Sequence, residues 1–329
     1  MPETSAVSEN GLVCGYVLDG KGGARELSAN DIDTDFGPDK VTWLHFDFTN
    51  PQARSWIPQQ HGMNEHMAQA MLADDSRPRC MVDEHGVLTV LRGVNLNPGS
   101  EMEDMISIRV WMNGNRIIST RRRRLKSVLT IRSELEAGNG PIDPPSFLVR
   151  LIGLLGIRIG EAIDVINEQL DSAESSLQEG AGTPQRGLFG EIRRQTARMR
   201  RYLAPQREAL DRLSRVQSDF FSARFSLEIY EQTNWMTLFI EDLDLARERA
   251  MVAQEEMLNL LAHEQNSKMF ILSIVAAVFL PLAFFTGLMG MNVAGLPGTE
   301  NPWSFYIVLF LMFAAAGFIM WLFKRKKWF

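Results

Sequence analysis

The residues best placed to meet a metal ion lie between positions 263 and 300. Gly290-Met291-Asn292 follows a long uncharged run. A ring of Asn292 side-chain oxygens from several chains would offer neutral acceptors to the water shell of a hydrated cation. A single Asn there reads equally well as a cap or a turn. Gly287 and Gly290 allow helices to approach closely. Glu300 is the one charged residue between positions 290 and 302. Upstream, Asn266, Met269, Ser273, Ala276/Ala277, Leu280, Ala283/Phe284, Gly287 and Met291 recur at helical spacing. This stripe is apolar or weakly polar and has no carboxylate, which suits passage of an ion with its water rather than binding of a bare ion. His263 lies one turn before Asn266. Imidazole is a good zinc ligand, although a histidine beside Glu264 also reads as a solvated surface residue.

The elements that must position these residues are two apolar runs. Met269–Met289 and Trp303–Phe323 each contain 21 residues with no charge, and about 20 such residues cross the ~30 Å hydrocarbon core as a helix. The segment 290–302 carries Gly295, Pro297, Gly298 and Pro302, so it reads as a loop closing a hairpin. Lys324-Arg325-Lys326-Lys327 follows the second run. The positive-inside rule places this basic tail, and therefore both termini, in the cytoplasm, with loop 290–302 outside. Neither run carries a charge, and two helices enclose no polar path. A pore would need several chains, each giving one helix to a ring. The first run is the better liner. The second is bulky, with small residues confined to Ala314–Gly317, and suits the lipid side.

The preceding residues have two textures. Residues 1–140 read as a cytoplasmic α/β domain with a mainly meandering sheet. Its strands fall at Leu12–Leu18, Val41–Asp47, Arg79–Asp83, Val87–Asn95, Met105–Met112 and Arg116–Thr120, with a short helix at Asn64–Leu72. Glu84-His85-Gly86 and Asn113-Gly114-Asn115 read as hairpin turns, and Gly20–Gly23 as a turn. Residues 141–268 read as a helical domain and stalk. The first helix spans Pro144–Glu179 and the second runs from about Leu188 to Tyr230, kinked at Pro205. A third starts near Asn234 and meets no breaker before Pro281. As one helix, 235–289 would be about 83 Å long. Residues 269–329 form the membrane hairpin.

Composition excludes several function classes. The net charge of −6 argues against a nucleic-acid binder. Arg121-Arg122-Arg123-Arg124 therefore reads as a solvated face or as inter-subunit ion pairs rather than as a nucleic-acid patch. Two cysteines, Cys14 and Cys80, make neither a disulfide framework nor a four-cysteine metal site. His45, His61, His66 and His85 have no zinc-finger spacing. The sequence shows no nucleophile–base pair, P-loop or dinucleotide fingerprint, so it does not read as an enzyme with a bound cofactor.

Gly290-Met291-Asn292 after an apolar span, before a short loop, a second span and a basic tail, resembles the CorA metal-ion transporter family. Arg77-Pro78-Arg79, Leu91-Arg92-Gly93-Val94-Asn95-Leu96-Asn97, the stretch 103–124 and Arg201-Tyr202-Leu203-Ala204-Pro205-Gln206-Arg207 look like its zinc-transporting ZntB branch. Magnesium-type members usually carry an acidic segment after the triplet. Here Val293-Ala294-Gly295-Leu296-Pro297-Gly298 follows, as in the zinc branch. The resemblance implies an α+β cytoplasmic domain, a long stalk helix and a two-helix transmembrane hairpin, assembled in lipid as a funnel-shaped homopentamer. It implies a pore lined by the first span in a bacterial-type inner membrane. The cargo would be a divalent cation, Zn2+ first and Ni2+, Cd2+, Co2+ or Mg2+ as alternatives. A magnesium or cobalt channel of the same fold and a membrane-anchored regulator are the rival expectations.

Overall fold

The computed structural model describes residues 8–37, 39–74, 77–178, 187–217, 221–291, 296, 298 and 301–325. The chain forms two compact units, residues 1–254 and 255–329.

A seven-stranded sheet organises the first unit. Its strands are β1 (Leu12–Leu18), β2 (Ala24–Glu26), β3 (Val41–Asp47), β4 (Arg79–Val82), β5 (Val87–Gly93), β6 (Ile106–Met112) and β7 (Arg116–Arg121), in the order β2-β1-β3-β7-β6-β5-β4. Two antiparallel meanders meet at the centre, where β3 and β7 pair in parallel with Leu44 opposite Ile118. The sheet is therefore less purely meandering than its turn signals suggest. A parallel pair needs a crossover, and here the whole of β4–β6 lies between the two strands in sequence. The hairpin turns at 84–86 and 113–115 are present. Asp83 Oδ1 accepts from the Gly86 N–H at 2.8 Å, and Asn113 Oδ1 accepts from the Arg116 N–H at 2.8 Å.

Both sheet faces are covered, which is why β1, β5 and β6 are buried along their whole length. One face packs Leu44, Phe46, Leu88, Val90, Trp111 and Ile118 against α1 (Pro51–Trp56) and α2 (Glu65–Leu72). Asn50 and Asn64 cap those two helices through their side-chain oxygens. The other face meets α3 (Lys126–Glu136) and α4 (Pro144–Gln178). Trp43 packs there against Phe147, the rings tilted at 56° with centroids 4.8 Å apart. A side chain at Gly93 would collide with Leu155 at 2.6 Å, so this glycine sets how closely α4 approaches β5. Along β3 the alternation Trp43, His45 against Leu44, Phe46 sends successive side chains to opposite layers.

Helix α5 (Leu188–Ser214) covers edge strand β4 and reaches β5. Gln206 is buried and accepts the Arg92 N–H at 2.7 Å. That N–H lies beyond the reach of β4, whose pairing with β5 stops at Val90. The helical expectation needs correcting here. The second helix ends at Ser214 rather than near Tyr230, and α6 runs from Ala223 to Met289, 67 residues. The break holds neither glycine nor proline. Its signal is Ser222, whose Oγ accepts the Phe225 N–H at 3.2 Å, a helix start that Asn234 cannot supply from within a continuing helix. Pro205 sits inside α5 and Pro281 inside α6.

The first part of α6 is tied to α4 and α5. Met236, Leu243, Ala246 and Ala250 are buried at a three- and four-residue rhythm. Arg200 pairs with Asp244 at 2.7 Å, and Arg249 with Asp171 and Glu174 at 2.5 and 2.6 Å. The second unit holds the rest of α6 and α7 (Ser304–Arg325).

Candidate functional site

Beyond Met257 no residue of α6 is buried. The helix nevertheless has two distinguishable sides. Ile274, Val278 and Leu282 are half-buried, as are Val308, Met312, Ala316 and Ile319 of α7. Leu282, Phe285 and Met289 face Val308, Met312 and Ile319 across a shared apolar cleft of about 320 Å3. A span-wide stripe at i, i+4, i+8 on each helix thus packs the hairpin.

An α-helix turns about 100° per residue. On that measure Asn266, Met269, Ser273, Leu280, Ala283 and Gly287 occupy an arc of about 100°. Its centre lies about 170° from the side formed by Ile274, Val278 and Leu282. All six are exposed, Leu280 at 76%. His263 is also exposed, about 60° around the helix from Asn266 and toward the α7 side. It belongs less to this arc than its one-turn spacing from Asn266 suggests.

The polar groups of the span are self-satisfied. Ser273 Oγ donates to the Met269 carbonyl at 2.9 Å and Thr286 Oγ1 to the Ala283 carbonyl at 3.0 Å. Such back-bonding lets hydroxyls sit in an apolar run without a partner helix. At the end of α6, the Gly290 N–H donates to the Thr286 carbonyl at 2.9 Å. A Cβ at Gly290 would stand 3.1 Å from that oxygen, a tight contact. Around Gly287 nothing lies within 4 Å, which leaves its face open. Met291 continues the turn with an N–H to the Leu288 carbonyl at 3.4 Å. Asn292 and Glu300 lie outside the described residues. Past them, Ser304 Oγ donates to the Gly298 carbonyl at 2.6 Å and fixes the entry to α7. Near His263, Lys268 pairs with Glu264 at 2.6 Å and holds that exposed carboxyl below its usual range, chiefly through the hydrogen bond.

The first unit offers no competing metal centre among its described residues. No three His, Cys, Asp or Glu side chains converge there. Cys14 and Cys80 are buried, and burial pushes both thiols up to about 12. His45 is fully buried between Trp43 and Ser119. Trp43 Nε1 donates to Ser119 Oγ at 2.8 Å, and His45 Nδ1 shares a hydrogen bond with the same hydroxyl, also at 2.8 Å. Burial first, and then Arg121 and Arg132, hold that imidazole neutral, well below its ordinary pKa. It is a structural histidine.

What sequence reasoning missed is the side of α6 that meets α7. The run Met269–Met289 is apolar all round, and only the alternation of half-buried and exposed positions distinguishes its faces.

Comparison with known proteins gives this geometry its context. A divalent cation transporter, CmaX, of Pseudomonas aeruginosa is 38% identical over 97% of this chain and 97% of its own. A zinc transport protein, ZntB, of Pectobacterium carotovorum is 32% identical over 98% of this chain and 97% of its own. The solved structure of full-length CmaX superposes with a TM-score of 0.85 at 37% identity, covering 98% of this chain and all of that one. The family model described as CorA-like Mg2+ transporter protein matches residues 38–325. A sheet domain, a 67-residue helix and a second apolar helix, matched from end to end at this identity, place the chain in the CorA-like transporter family.

Proposed function

We propose that this protein carries divalent cations across the cytoplasmic membrane, zinc among them, through a homopentameric pore lined by the 269–289 part of α6. In this reading residues 1–140 and 141–268 are cytoplasmic, 269–329 form the membrane hairpin, and both termini face the cytoplasm. The observation that carries it is the rotation of α6. The arc from Asn266 to Gly287, in which Asn266, Ser273, Ala283 and Gly287 alternate with Met269 and Leu280, is turned about 170° from α7. A face left open by its own hairpin, and poorer in bulky groups than the lipid-suited α7, is the one that identical copies would share around an axis.

Cations gather at the outer mouth, drawn by Glu300, by the negative ends of converging helices and by a ring of Asn292 oxygens. They keep their water past the Met269–Gly287 arc, which has no carboxylate to replace it, and leave beside the stalk 235–268, which carries seven acids and three bases. A negative-inside potential favours uptake by about 2.3 kcal/mol per charge per 100 mV. The zinc and divalent-cation relatives support this cargo. The family model's magnesium description favours a second reading, a magnesium or cobalt channel on the same scaffold.

Flux into liposomes of purified protein, with Zn2+, Mg2+, Co2+, Ni2+ and Cd2+ compared, decides between them. Mass measurement in detergent checks the pentamer. Zinc entry faster than magnesium entry is the expected result. A stable monomer or dimer with no flux of any ion removes the transport reading.

A further inference from the structure

The protein is acidic overall, yet one cavity in the first unit gathers arginines. It has a volume of about 580 Å3 and is lined by Arg92 of β5, Arg122 and Arg123 between β7 and α3, and Arg198 and Arg201 of α5. Three acids share it, Asp74, Glu103 and Asp104, which leaves an excess of positive charge. Two of those acids are already engaged, because Arg198 reaches Glu103 at 3.6 Å and Asp104 at 3.9 Å.

The remaining cations differ in how they are held. Arg92 is buried and donates from Nη1 to the Met105 carbonyl at 2.9 Å. Its guanidinium lies 4.5 Å from the centre of the Tyr202 ring. Arg201 lies 4.8 Å from the same ring and donates to the Tyr202 hydroxyl at 2.6 Å. One aromatic ring therefore orients two guanidinium groups before any ligand arrives, which lowers the ordering cost of binding. Arg122 and Arg123 are exposed, and neither has a hydrogen-bond or ion-pair partner among the described residues.

Guanidinium groups facing one concave space repel each other, and a multiply charged anion relieves that repulsion. Their planar forks match the paired oxygens of phosphates. The volume lies within the roughly 300–1,000 Å3 of small-molecule sites. We propose that this cavity binds a polyphosphate-bearing small molecule, with Arg122, Arg123 and Arg201 taking phosphate oxygens and Tyr202 holding Arg201 in place. None of these residues lies on α6 or α7.

Isothermal titration of the full-length protein in detergent tests this, with ATP, tripolyphosphate and inorganic phosphate as probes. The buffer contains EDTA, so that no chelated metal contributes heat. ATP or tripolyphosphate, or both, should bind at least about tenfold more tightly than inorganic phosphate, because several charge-assisted bonds act together. Equal binding of the first two assigns recognition to the phosphates alone, and preference for ATP adds a contact to its nucleoside. The double variant Arg122→Ser/Arg123→Ser should weaken binding by about tenfold or more. Both residues are exposed, so the fold should be retained. Arg224→Ser, an exposed arginine of α6 paired with Glu228 at 2.8 Å, should change nothing. Absence of ATP and tripolyphosphate binding up to about 1 mM would overturn the proposal. So would undiminished binding in the double variant, or an equal loss in Arg224→Ser.

Discussion

The two ends of α6 are one helix in sequence and two different structures in their surroundings. From Met236 to Ala253 a buried face recurs every three or four residues against the protein's own helices. From Met269 to Met289 the sequence is far more apolar, yet nothing in it is buried. Apolar content and burial run in opposite directions along the same element. A soluble domain covers its apolar surface with its own chain, whereas a membrane hairpin leaves that surface to lipid and to other copies. The difference teaches that the face of a spanning helix cannot be assigned by asking which residues are apolar, but only by asking which side a neighbour already occupies.

The largest expected effect tests that contrast with one chemical change at two places. Phe147→Ala removes a fully buried ring that packs on Trp43 and should destabilise the first unit by about 3–5 kcal/mol. Phe279→Ala, at a position 64% exposed, should leave the thermal unfolding of that unit unchanged. Comparable losses at the two sites would mean that the hairpin packs on the chain's own core.

Next in size is the triplet. Asn292→Ala should reduce cation flux by about tenfold or more while the assembled mass is preserved, because in the proposed pore it would remove ring acceptors but little packing volume. Unchanged flux in a correctly assembled variant would leave Asn292 as a turn residue.

Cysteine scanning sharpens the rotational assignment. Ser273→Cys and Leu280→Cys should be modified by water-soluble thiol reagents, and their flux blocked, about tenfold faster than Ile274→Cys and Val278→Cys. The native background is low, since Cys14 and Cys80 are buried and their thiols are pushed up to about 12. Equal reactivity on the two faces would overturn the lining arc.

The smallest effect concerns His263. Its replacement by alanine should change zinc flux by about two- to fivefold and magnesium flux less, because zinc accepts imidazole nitrogen while magnesium prefers oxygen. Its angular offset from the arc is the reason the expected change is small.

Much of this molecule was legible in one dimension. The strands expected at 12–18, 41–47, 87–95 and 116–120 form at 12–18, 41–47, 87–93 and 116–121, from short β-branched runs bounded by turn residues, and the two long apolar helices follow from length without charge. These are local signals, and local propensity determines them. The parallel pairing of β3 with β7 was not legible, because it joins residues about 75 positions apart and no local pattern encodes a distant partner. The break before Ala223 was missed because a single serine cap replaces the expected glycine or proline. The arginine cavity was invisible for the same reason as the sheet centre. Arg92, Arg122 and Arg201 come from a strand, a connection and a helix, and their charges add only once folding brings them together. Sequence alone determined that the chain has a mixed α/β part, a long helix and two stretches long and apolar enough to span a membrane, since periodicity and hydropathy are properties of neighbouring residues. Which side of the first span faces its partner, and which arginines share a cavity, was decided by tertiary packing, because both depend on the angle at which separate elements meet.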